Sequence, residues 1–176
     1  MPSIKFSKYL FIFIFTFLTG FAHSNEKIVY LDIDYLMNKS LAGKSLKIQI
    51  NKINKSNFEN FKKTEKNLLT KEKKIISQKN VLSEEEFKKN IKEFKIKINN
   101  FNSIKLKAVN ELGEKKFNAQ KELTQNVTAI ITDYSSKNSI DYILNKQSIV
   151  IGKSELDITS IILEILDSKV KNIKIK

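Results

Sequence analysis

The chain has 176 residues, a formal net charge of +13, one histidine and no cysteine. Without cysteine there is neither a disulfide framework nor a thiolate metal site. All 32 basic residues are lysine, and four glycines scattered along the chain make no Gly-rich phosphate loop.

The first segment, "MPSIKFSKYLFIFIFTFLTGFAHSNEK", places two lysines and no acid ahead of a short apolar run, Leu10 to Leu18. That run is far shorter than the roughly twenty residues a membrane-spanning helix needs. Ala22 and Ser24 then occupy the small-residue positions that a signal peptidase reads. The expectation is a signal peptide over residues 1–24, removed on export; the alternative is an uncleaved amphiphilic anchor. The only histidine, His23, lies in the part to be removed. The mature chain then has no imidazole for Ser-His or Cys-His catalysis or for most zinc and transition-metal sites. The reading is of a protein that is not an enzyme and uses no cofactor.

Next comes "KIVYLDID", residues 27–34, a short apolar run bounded by charge that reads as a strand. From Leu41 to Ser136 proline is absent and glycine rare, which points to helix. Leu46, Ile50 and Ile53 make a 4-3 step, and Phe61, Leu68 and Ile75 recur every seven residues. "SQKNVLSEEEF" follows, in which Ser83 and Glu86 have the spacing of a capping box. In "FKKNIKEFKIKINNF" the apolar residues Phe87, Ile91, Phe94, Ile98 and Phe101 repeat the 4-3 spacing. That stripe runs on through Lys105, Ala108, Leu112 and Ala119 to Leu123, Val127 and Ile130. A seven-residue apolar repeat buries its seam against another helix. Two such stripes around one capped turn predict an antiparallel coiled-coil hairpin over 41–136, with its tip near 80–83 and a length of about 50 Å.

After the hairpin, "IDYILNKQSIVIG", residues 140–152, reads as two strands joined at Asn145-Lys146-Gln147. Asp157 is the expected cap of a last helix whose apolar positions are Ile158, Ile161, Ile162, Ile165, Leu166 and Val170. The fold class is therefore α+β. A small β body with a terminal helix, residues 25–40 and 137–176, carries a long helical hairpin inserted between its strands. So small a core predicts oligomerisation through the body. The charge is segregated: Leu41 to Ser136 holds 21 lysines against 11 acids, while the rest of the mature chain holds 9 against 8.

In its order of elements, and in the end segments "KIVYLDIDYLM", "IDYILNKQSIVI" and "LDITSIILEIL", the mature chain resembles periplasmic chaperones of the Skp/OmpH type. It departs from that pattern in lacking arginine, in its Asn and Ile content, and in a basic tail, "KNIKIK", beyond Val170. The resemblance implies a periplasmic homotrimer in which three hairpins enclose a cavity. It further implies ATP-independent holding of unfolded outer-membrane β-barrel proteins, which keeps them from aggregating.

On that footing the lysines steer an acidic, unfolded chain into a positive enclosure, and their mobile point charges impose no fixed contact geometry. Candidates for electrostatic capture near the tip are Lys71, Lys73, Lys74, Lys79, Lys88, Lys89 and Lys92. The apolar residues outside the seam, Ile96, Ile104, Leu106, Val109 and Phe117, are candidates for the cavity wall, with arm-to-arm packing as their other reading. Gly113 lies mid-helix, opposite about Gln49 and Ile50 by counting back from the tip, and is a candidate pivot. Nucleic acid is not an expected partner, because arginine, its principal reader, is missing. The alternative function is a structural coiled-coil envelope protein, or a binder of anionic lipid or lipopolysaccharide with no chaperone activity.

Overall fold

A computed structural model describes residues 26–175; the expected signal peptide, with Ala22, His23 and Ser24, lies outside the described residues. Strand β1 (Ile28–Leu31) leads into the short helix α1 (Ile33–Lys39). Two long helices follow, α2 (Leu41–Ser77) and α3 (Glu84–Lys137). Strand β2 (Tyr142–Asn145), two 3-10 turns at Lys146–Ser148 and Ser154–Leu156, and helix α4 (Thr159–Lys169) complete the chain.

β1 and β2 pair in parallel, with Ile28 opposite Tyr142 and Leu31 opposite Asn145. A parallel pair cannot be closed by a tight turn and needs a crossover. Here the entire hairpin is that crossover. Lys27 sits at the closure, donating its amide to the Asp141 carboxylate at 2.7 Å and its ammonium to the Asn138 carbonyl at 2.9 Å.

The expected third strand does not form. Asn145 accepts from the Gln147 amide at 3.1 Å and turns the chain into a 3-10 helix. Val150 and Ile151 then stand 97% and 92% exposed. β-Branched residues favour extended backbone, but a strand also needs a ladder partner. The free edge of β1 is already taken: Tyr30 bridges to Asp157, and its carbonyl accepts from the Ile158 amide at 2.9 Å. The body sheet thus has two strands rather than three.

Asp157 also plays a different part from the one its sequence position suggests. The residue preceding α4 is Ile158, which offers no side-chain cap. Asp157 instead accepts from the backbone amide of Thr159 at 2.9 Å and from its hydroxyl, and pairs with Lys146 at 2.7 Å. Partial burial opposes its ionisation, but the hydrogen bonds from Lys146 and Thr159 prevail and hold its carboxyl below the usual aspartate range. A depressed acid contributes stability above the unfolded pKa, about 3.9, that disappears as pH falls through the lower folded value. Urea titrations of the parent and of Asp157→Asn should therefore show a stability gap at pH 6 that narrows steadily below pH ~4.

The core lies where α1, the base of the hairpin and α4 meet under the sheet. Leu31, Leu36, Leu123, Ile162 and Leu166 are fully buried, joined by Leu46, Val127, Ile130 and Ile158. α3 is much longer than α2, 54 residues against 37, and its C-terminal third is body core rather than arm. The basic tail returns to this core. Ile173 is buried, and the Gln49 side chain donates to its carbonyl at 2.8 Å and accepts from the Ile175 amide at 3.1 Å.

At the far end, α2 stops at Ser77 and α3 starts at Glu84. The capping box is realised, the Ser83 hydroxyl accepting from the Glu86 amide while the Glu86 carboxylate accepts from the Ser83 amide, both at 3.3 Å. Ser83→Ala should cost about 1 kcal/mol of local stability, read as faster amide exchange over residues 84–90 with exchange in the body unchanged.

Candidate functional site

The hairpin is a thin structure, and its surface is the candidate site. Its seam contains the residues that the spacing identified: Phe94, Phe101, Ala119 and Leu123 are buried, and Ile50, Ile53, Phe61, Leu68, Ile75, Phe87, Ile91 and Ile98 are half-buried. A charged residue sits in the seam at Lys105. Its ammonium meets Glu65 of α2 at 2.8 Å and lies 5.9 Å and 5.4 Å from the ring centroids of Phe61 and Phe101. Those rings pack edge to face at 6.1 Å. Lysine is tolerated there because its stem covers apolar surface while its charge finds a carboxylate and two ring faces.

The two flanks of the seam differ. One holds open grooves lined by Asn57, Asn60 and Thr64 from α2 and by Lys97, Asn100 and Ile104 from α3. Nearer the tip the same flank exposes Lys71 and Lys74 beside Glu93 and Lys97. The other flank is marked at its base by Lys47, Asn51, Lys116 and Gln120. At about 100° per residue, the five wall candidates do not share one of these flanks. Ile104 belongs to the first, with Phe61 and Leu68. Val109 falls on the second, while Ile96, Phe117 and Leu106, which lines a groove with Ser103 and Asn110, point away from the seam. All five are at least half exposed, but they do not form one continuous wall.

All seven tip lysines are exposed. Lys88 pairs with Glu84 one turn before it; among the described residues the other six make no ion pair. Gly113 is exposed within α3, and a Cβ added there would meet nothing within 4 Å. Lys116 shares a groove with Ile50 and Asn51, and Lys105 pairs with Glu65. Gly113 therefore lies opposite a point beyond Asn51, farther toward the tip than Gln49 and Ile50. Sequence reading passed over Phe58, Leu69 and Ile76, which are exposed on α2. Their signal is a spacing of eleven and seven residues with lysines three or four positions away. No described helix is long and apolar enough to cross a membrane.

A two-stranded parallel body carrying a basic coiled-coil hairpin as its crossover defines an arm-bearing α+β protein. The chain belongs to the OmpH-like outer membrane protein family, whose sequence profile matches residues 27–166. The fold is also that of a crystal structure from Caulobacter crescentus, described as an OmpH-like outer membrane chaperone. The two share 14% identity with a TM-score of 0.80, over 85% of this chain and 88% of that one. No curated protein matches the sequence.

Proposed function

We propose that the chain is an ATP-independent periplasmic holdase that binds unfolded outer-membrane β-barrel proteins between basic helical arms and prevents their aggregation. The observation that carries this reading is an arm that also exposes large apolar side chains outside its seam, among exposed lysines. A purely structural coiled coil gains nothing from Leu106, Val109 and Phe117 at 63–66% exposure. A surface that must hold many sequences weakly does.

Self-association, as a homotrimer, is part of the proposal. It is supported by the uncovered side chains Ile28, Tyr142, Leu144, Val150 and Ile151 on the body, an apolar set beside an unpaired strand edge. Lysines steer the client in, exposed apolar groups hold it, and Gly113 serves as the pivot that adapts the arm to its size. Gly113→Ala has room for its methyl and should raise helix stability by about 1 kcal/mol. Spin labels placed on the body and on the arm tip should then report a narrower distance distribution; an unchanged spread would remove the pivot.

The test is native mass spectrometry of residues 25–176 after dilution of a urea-unfolded outer-membrane barrel protein into the sample. Three chains with one client is the expected species. A monomer or dimer that ignores the client would overturn the holdase reading and leave binding of anionic lipid as the account of the lysines.

A further inference from the structure

One flank of α2 carries a pattern that the seam does not use. Phe58, Leu69 and Ile76 are 66%, 51% and 60% exposed. They are eleven and seven residues apart, about three and two turns of helix, so they stand in one row. Lys55, Lys62, Lys66 and Lys73, all exposed, fringe that row. "KSNFENFK" and "KNLLTKEK" repeat the same spacing, a lysine three residues before the apolar side chain and another four after it. By helical position the row lies on the flank marked by Lys47 and Asn51, to which Val109 of α3 also belongs. The acids of α2 near the row and its fringe are Glu59, one turn from Lys55 and Lys62, Glu65, engaged by Lys105, and Glu72.

We propose that this row is a docking track for an extended, acid-bearing segment of an unfolded client chain. The proposal rests on the holdase reading and gives the arm a client-facing side. Its chemistry is complementary to one class of partner. A segment that mixes apolar side chains with carboxylates would cover Phe58, Leu69 and Ile76 and meet the lysine fringe at the same time. Its length also fits. From Lys55 to Ile76 the row runs about 30 Å at 1.5 Å per residue. That is the reach of nine or ten extended residues at roughly 3.3 Å each, about one membrane-crossing β-strand. Separate anchors spaced by lysines give several weak contacts in place of one tight pocket, so the client is held without a fixed sequence requirement.

The test places a photo-crosslinking amino acid at position 58, 69 or 76, and in parallel at 96 or 104, in the otherwise unaltered mature chain. Each variant is mixed with a urea-unfolded outer-membrane barrel protein. The proposal expects several-fold more client adduct from the first three positions than from the last two. Equal yields from both sets would overturn it, because the arm would then have no preferred face. Chain-to-chain adducts from 58, 69 and 76 would also overturn it, by assigning the row to arm packing. If the unmodified chain forms no client complex on native mass spectrometry, the holdase reading itself fails, and that result is separate from the cross-link pattern. As a second measurement, the combined variant Phe58→Ser, Leu69→Ser and Ile76→Ser changes only exposed side chains. It should weaken client affinity about ten-fold, with helicity by circular dichroism unchanged.

Discussion

Gly43→Ala should be among the most damaging single substitutions in the chain. A Cβ at this position would lie 1.9 Å from the Met37 carbonyl oxygen and 2.9 Å from the Met37 carbonyl carbon. Both are backbone atoms of α1, so no side-chain rotation relieves the overlap. The junction is otherwise tightly determined. Ser40 is fully buried, closes α1 through its own amide, and caps α2 by accepting from the Gly43 amide at 3.1 Å. Ala42 and Leu46, on either side, belong to the body core. To admit one methyl group, α1 must move away from α2 and carry Leu36 out of that core. Overpacking of this kind costs about 1–3 kcal/mol and sometimes more; against backbone, the upper end is expected. A urea midpoint displaced by that amount, in the same assay that shows Gly113→Ala neutral or stabilising, would establish that the two helical glycines have opposite roles.

The second large effect concerns association rate. Replacing Lys71, Lys73, Lys74, Lys79, Lys88, Lys89 and Lys92 together by glutamine removes seven positive charges from the distal arm. The arm between Leu41 and Ser136 carries a surplus of ten, 21 lysines less 11 acids, so this leaves about three. Fields from a charged cleft raise encounter rates by 10- to 1,000-fold. Client association at low salt should therefore slow at least ten-fold. Exposed side chains contribute little to folding, so the melting temperature should barely move. Raising ionic strength shortens the screening length to below 10 Å and should slow the parent protein toward the variant. Single replacements should each have effects near the limit of measurement, because the field is a sum. An association rate that stays the same in the sevenfold variant would assign client capture to the apolar side chains alone.

Much of the architecture is legible in the sequence because it rests on local rules. Ser83 and Glu86 make a turn whose chemistry is complete within four residues, and the 4-3 spacing from Phe87 to Phe101 names the buried side of α3 before any partner is known. The third strand is misread for the opposite reason. Ser148 to Ile151 have the composition of a strand, but what decides is whether a neighbouring edge is vacant, and Asp157 occupies the one beside Tyr30. Gly43 is invisible in the same way: its constraint comes from a carbonyl on another helix. Gly113 draws the eye as a mid-helix glycine, yet it stands in open space. The wall candidates were chosen only for lying outside the seam, a test that does not distinguish left from right. Pairing the two helices is what separates Ile104 from Leu106 and brings Phe58 into consideration. In the sequence the tail stands out only by its lysines, although Ile173 is core and Gln49 holds the backbone at the Ile173 carbonyl and the Ile175 amide.

The parallel pairing of β1 with β2 also dictates an order of assembly. Lys27 and Asp141, which meet at 2.7 Å, are 114 residues apart in the chain, whereas the hairpin turn closes within a handful. Loop closure between distant ends is opposed by an entropy that grows with the length spanned, and contacts of large sequence separation form slowly. Once the hairpin has zipped from Ser83 downward, however, the rigid pair of helices delivers Leu46 and Leu123, and with them the two strands, to the same place. The arm therefore acts as the scaffold on which its own base is built. Strand β1, made first, has no partner until residues 142–145 have followed it. A substitution near the tip that delays zippering should slow burial of Leu31 at the opposite end of the molecule, although the two sites share no contact.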